Sequence, residues 1–336
     1  MIGASQAGKR SRGWVVVALR WLAALCVLGI LIHFLPLHLL GQAIERVPFA
    51  RFFLILMGYL LAHSIGIVKW RMVVNAAGAR LDFATSAQCY TGGLFATLFL
   101  PSIIGGDVVR LAVGLRRSPN PAAVLAGNVT DRFLDMCAQA GLVLLGLILL
   151  PGSLPASLGQ QMRRGMLYSA AVFVALCVLL LFLYKPLLGG RSIRFRRRLA
   201  RLRHALRSGW RRPHILIFGW MMGTAIQSTF LILTALLAIS CGLFLPLRIW
   251  FFAWPLAKLA ALLPLTQGGI GVREAALVGL LSPFGAPAHL VLAAGLVWEG
   301  VVIAGGLVAG LTAFLLGNNG TVPKNQEKQP IFAKSS

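Results

Sequence analysis

The chain has 336 residues, 58% of them hydrophobic and 12% charged, with 32 Lys+Arg against 8 Asp+Glu. Ordinary soluble domains are not this apolar, and several runs at or above about 18 apolar residues place the chain among helical membrane proteins. A soluble protein of net charge +24 would point to nucleic acid; here the basic residues lie in loops between apolar runs, where the positive-inside rule and anionic lipid account for them, so nucleic acid is not expected as a partner.

In chain order, residues 1–13 form a basic N-terminus with Lys9, Arg10 and Arg12. The apolar run at 14–35 is too long for a signal peptide and is read as an uncleaved first span. Residues 36–48 read as a short outer loop. The second span covers 49–68 and ends at Lys69, Trp70 and Arg71, read as an anchor at the inner interface. Residues 83–117 fit a full span badly: two short apolar pieces flank Pro101 and Gly105-Gly106, which predicts a re-entrant hairpin or a pair of broken helices. Spans three and four are expected at 121–150 and 166–184. The stretch 191–212 carries ten arginines, with Phe195, Leu199, Leu202, Leu206 and Trp210 recurring at helical spacing, and reads as an amphipathic helix on the inner leaflet. Span five covers 214–240, a second broken pair covers 249–282, and span six covers 289–316. A polar tail, 317–336, follows. The expectation is an all-α integral membrane domain over 14–316, with about six full spans and two hairpins. Both termini are then cytoplasmic.

The two hairpins share a pattern. Pro101 to Arg110 and Pro264 to Arg273 both read P-x-x-x-G-G-x-x-V-R, with Glu274 directly after the second. Three expected spans, an odd number, lie between them, so the copies would face opposite sides of the membrane as an inverted repeat. Paired broken helices in two halves point to a transporter-type site near the midplane.

An ionised side chain at the bilayer centre costs about 2.5–3.5 kcal/mol on insertion scales, so intramembrane charges need a reason. This chain has Asp107, Arg110, Asp131, Arg132, Asp135, Lys258, Arg273, Glu274 and Glu299 in or beside apolar segments. Arg110 lies three residues after Asp107, on one helical face, and Arg273 is next to Glu274. Arginine beside a helix N-terminus is a phosphate-binding combination. Gly105-Gly106 and Gly268-Gly269 would let the backbone approach such a ligand; the alternative role for these glycines is close helix packing. Asn128, Arg132, Asp135 and Gln139 form a polar stripe that should face a cavity or the bundle interior, and Asp131 with Asp135 forms a like-charge pair able to share a proton. Neither a catalytic constellation nor a metal-ligand cluster stands out, and Cys26, Cys89, Cys137, Cys177 and Cys241 read as packing residues.

With these motifs, the chain resembles the membrane region of lysylphosphatidylglycerol synthases, the flippase-like family. The elements that carry the resemblance are Leu100 to Arg110, Asp131-Arg132-Phe-Leu-Asp135, and Pro264 to Glu274. The full-length enzymes of that family carry a soluble domain that transfers lysine from aminoacyl-tRNA. The sequence stops at Ser336 without it, so lysyl transfer is not expected. The resemblance implies movement of a lipid between leaflets, with an anionic or phosphate-bearing headgroup as the ligand and no cofactor. A membrane-embedded transferase, or an accessory subunit of an envelope-biosynthesis complex, remains the alternative, and a homo-oligomer remains open. Arg110 and Arg273 would hold the phosphate, Asp107 and Glu274 would tune them, and Asp131, Arg132, Asp135, Lys258 and Glu299 would complete the cavity.

Overall fold

The computed structural model describes residues 37–100, 102–149, 202, 204–261, 266 and 270–318. Nine α-helices are defined among them, with no strand: α1 Leu37–Glu45, α2 Phe49–Ala76, α3 Phe83–Ala96, α4 Ser102–Arg117, α5 Pro121–Leu149, α6 Pro213–Ser240, α7 Leu247–Ala260, α8 Val272–Leu281 and α9 Ala288–Asn318. The expected spans at 14–35 and 166–184, and the tail beyond Asn318, lie outside the described residues.

Among the described residues, four helices are long and apolar enough to cross a bilayer: α2, α5, α6 and α9. Each has 28 to 31 residues, or about 42–46 Å at 1.5 Å per residue, against a hydrocarbon core of about 30 Å. They correspond to the expected spans two, three, five and six. The two expected hairpins are pairs of short helices. In the first, α3 has 14 residues and α4 has 16; in the second, α7 has 14 and α8 has 10. At about 15–24 Å, none of these limbs reaches across the hydrocarbon core alone.

α2 is the central strut, packed along α6 and α5 and against α3, while α9 lies along α3 and α7 lies against α5. An apolar cluster built on Ile55, Tyr59 and Ala62 of α2, with α6, α7 and α9, fills one end of the bundle. A second cluster of Trp70, Val74, Ala123, Val124 and Ala126 fills the other, at the end of α2 and the start of α5. The charged residues Lys69, Asp131 and Asp135 fall between the clusters along both helices.

Three stretches differ from the sequence reading. Residues 37–45, expected as loop, form a helix, because Leu37, Leu39, Leu40, Ala43 and Ile44 recur at helical spacing. The second span runs eight residues beyond 68, to Ala76, so Lys69 lies inside α2 and is only 2% exposed. It is therefore not an interfacial anchor. Residues 204–210 are helical as expected, yet Ala205 is buried and Leu202 and Leu206 pack on the Trp70–Val74 cluster, so this face turns to the protein and not to the leaflet. Trp210 is half exposed, with its ring 5.7 Å from that of Phe133.

Outside the spans, Asp82 caps α3 by accepting from the Thr85 amide at 3.2 Å, and hydrogen bonding from Thr85 holds its carboxyl below the usual carboxylate range.

Candidate functional site

The first charged group joins α2, α4 and α5. Lys69 Nζ of α2 lies 2.8 Å from Asp131 Oδ1 and donates to Asp135 Oδ1 at 2.5 Å. Residues four apart on a helix share a face, so α5 presents both carboxylates to one ammonium. Their expected like-charge pairing is thereby bridged by a cation. Arg110 of α4 reaches Asp107 at 2.9 Å, one turn earlier on the same helix, and Asp131 at 3.5 Å. Arg132 lies 3.1 Å from Asp107 and 3.5 Å from Asp135. The guanidinium of Arg110 also sits over Trp70 (5.3 Å) and Tyr90 (5.2 Å), a cation–π arrangement that a planar cation suits. Trp70 is fixed in turn by donating to Asn128 Oδ1 at 3.1 Å.

α4 reaches this position because glycines remove the side chains between it and α3. A Cβ on Gly93 would lie 2.7 Å from the Gly106 carbonyl oxygen and 2.9 Å from Arg110 Cβ. Gly105 and Gly106 are the fourth and fifth residues of α4. The unpaired N–H groups at the helix start therefore belong to earlier residues, and the glycines serve the approach of the two backbones.

The second group joins α8 and α9. Glu274 accepts from the Gly271 amide at 2.7 Å and from Arg273 Nε and Nη2 at 3.0 and 2.5 Å, and Arg273 Nη2 also donates to Glu299 at 2.8 Å. Gly271, at φ +83°, starts the helix in a conformation that favours glycine, and Glu274 three residues on closes the cap. On α9, Gly295 makes room for Glu274: a Cβ there would lie 2.7 Å from Glu274 Cγ. Arg273 lies 5.8 Å from the Trp254 ring centroid.

Between the groups stands Lys258 of α7, which donates to Gln227 Oε1 at 2.7 Å and sits 5.1 Å from the Phe230 ring centroid. Lys69, Arg110, Arg132 and Arg273 thus pair with Asp107, Asp131, Asp135, Glu274 and Glu299, and Lys258 stands apart from them. Only eight carboxylates occur in the chain, so a strongly basic protein has placed most of its negative charge inside the bundle. There the carboxylates offset cations that could not otherwise be held away from water.

Two cavities open onto these residues. A polar one of about 140 Å³ is lined by both Asp131 and Asp135 and by Asp107, Lys69, Arg110 and Arg132. A larger apolar one of about 430 Å³ is lined by Arg273, Glu299, Trp254 and Trp298. They share a wall made of His63, Leu94, Thr97, Phe230 and Lys258. Arg110 and Arg273 therefore open onto adjoining spaces separated by this wall.

The sequence model of the lysylphosphatidylglycerol synthase TM region matches residues 15–310. The chain belongs to that family. It is accordingly a membrane protein related to lipid handling. A search of the curated proteins finds no match.

Within this lysylphosphatidylglycerol synthase-type membrane region, eleven of the thirteen residues expected to form the headgroup site are described. Gly106, Asp107, Arg110, Asp131, Arg132, Asp135 and Lys258 line the polar cavity, and Lys258, Arg273 and Glu299 line the apolar one. Glu274 lies behind Arg273, 1% exposed, and holds it rather than facing the space. Gly105 lies against Leu100. Gly268 and Gly269 fall outside the described residues. Sequence reasoning missed Lys69, His63, Gln227 and Gly271. His63 joins the wall through a 3.2 Å hydrogen bond to Tyr90. The signal for Lys69 was available, since α5 carries two carboxylates that one neighbouring arginine could not neutralise.

Proposed function

We propose that this membrane region moves a lipid with an anionic or phosphate-bearing headgroup between the leaflets of the bacterial inner membrane. The observation that carries the reading is the pair of adjoining cavities, each holding a buried arginine already matched to carboxylates. A guanidinium held by carboxylates stays charged and oriented without a ligand, and can exchange one carboxylate contact for a headgroup phosphate. The headgroup would pass between Arg110 and Arg273 across the shared wall, with Asp107, Asp131, Asp135 and Glu299 taking up each arginine as it leaves. The short paired helices are the parts that would move against α2, α5, α6 and α9.

The test is lipid movement in proteoliposomes, with variants that keep the interior charge balanced. Arg110→Met with Asp107→Asn, and Arg273→Met with Glu299→Gln, should each slow a labelled anionic lipid by about tenfold or more, the scale of a lost charge-assisted hydrogen bond. Movement at the wild-type rate in both would remove the proposal. The same proteoliposomes separate the transferase alternative, which requires a lipid product of altered mass; lipid movement with unchanged masses is expected.

A further inference from the structure

The apolar cavity has a side that faces out. Its wall includes Leu98 and Phe99, just after α3, and Val302, Ile303 and Leu307 of α9. Phe99, Ile303 and Leu307 are 55%, 45% and 54% exposed. On a helix long and apolar enough to cross a bilayer, exposed residues of this kind face hydrocarbon. The cavity thus runs from the lipid-facing surface inward between α9 and the α3–α4 turn.

At its inner end the chemistry changes. Among the described residues, Lys258 is the one interior cation of the five with no carboxylate within 4.0 Å; its partners are neutral, the Gln227 amide oxygen and the Phe230 ring. Trp254 is 3% exposed, and its indole N–H has no hydrogen-bond partner among the described residues. A half-buried ammonium with a neutral acceptor and an idle donor nearby make an incomplete polar site, costly inside a membrane unless an anion completes it.

We infer that this cavity is a lateral portal: one hydrocarbon chain of an anionic amphiphile lies between Phe99 and Ile303, and its headgroup anion rests on Lys258 with the Trp254 N–H. The inference builds on the lipid-moving reading and specifies the route, from within the bilayer to the wall that both cavities share. Lys258 is then the place where a headgroup is first held, before either carboxylate-bound arginine releases a partner. The shared chemistry is a chain bearing an anion, which a phospholipid or a free fatty acid could supply.

The test is equilibrium binding to the purified full chain in detergent, read by native mass spectrometry with phosphatidylglycerol, a long-chain fatty acid and phosphatidylcholine as probes. At least one anionic probe should bind at least about tenfold more tightly than phosphatidylcholine, and the tighter of the two names the source. Lys258→Met should remove that preference, while Lys258→Arg keeps it. Ile303→Trp should weaken the anionic probe and leave its preference over phosphatidylcholine intact. Lys258→Met should also melt no lower than wild type, since it removes an uncompensated charge; a lysine kept only for structure would lower it. Equal binding of all three probes, or an unchanged anionic preference in Lys258→Met, overturns the inference. The measurement does not involve movement. Binding without movement fails the transport reading alone, and movement without Lys258-dependent binding fails this one alone.

Discussion

Lys69→Met is expected to cost about 3–5 kcal/mol of stability, the range for removing one partner of a buried ion pair. The side chain is 3% exposed and stands 2.8 Å from Asp131 and 2.5 Å from Asp135. Without it, two carboxylates one turn apart on α5 face each other with only Arg110 and Arg132 nearby, and Arg132 is itself 40% exposed. The loss comes from stranding those charges, not from losing the attraction itself. Lys69→Met combined with Asp131→Asn should therefore recover a large part of the melting temperature in detergent. No recovery in the double variant would mean that packing, and not charge, holds α2 against α5.

The second large effect is expected at Glu274. Its carboxylate does two jobs at once, closing the N-terminus of α8 through the Gly271 amide and fixing Arg273. Glu274→Ala removes both and leaves a hole beside Gly295, so a loss of about 3–5 kcal/mol is expected. Glu274→Gln keeps an oxygen for the Gly271 amide but gives up the charge, so its melting temperature should fall between those of alanine and wild type. Equal losses for Gln and Ala would assign the whole effect to the ion pair with Arg273; a Gln variant as stable as wild type would assign it to the cap.

The two roles explain what sequence could and could not reveal. Long apolar runs made α2, α5, α6 and α9 legible, because a bilayer demands such runs whatever the tertiary packing. The breaks at Pro101 and Gly105-Gly106 likewise pointed to short paired helices, since they divide the stretch into apolar pieces too short to span. Lys69 was misread because Trp70 and Arg71 follow it, a pattern that usually marks an interface; only the packing of Val73, Val74 and Ala76 shows that the helix continues inside the protein. Arg110, Asp131 and Asp135 were legible as intramembrane charges in need of partners, but which charge meets which depends on helix contacts that no local spacing encodes. The double glycine of α4 illustrates the same limit: a residue pair suited to a ligand and one suited to a neighbouring helix look alike until Gly93 is placed against Gly106. Gly271 is the converse, a single glycine whose positive φ sets the start of α8 and the position of Arg273.

Phe230 tests whether the two cavities form one path, since it belongs to both linings and packs its ring 5.4 Å from Tyr59 and 5.1 Å from His63. The most direct measurement is the rate at which a labelled anionic lipid crosses proteoliposomes containing wild type or Phe230→Trp. A larger ring in the shared wall costs about 1–3 kcal/mol if it overfills the site, so variants are compared well below their melting temperatures. The account predicts that wild type moves the lipid and that Phe230→Trp retains lipid yet moves it many times more slowly. Movement as fast through Phe230→Trp as through wild type would contradict a route across the wall between Arg110 and Arg273.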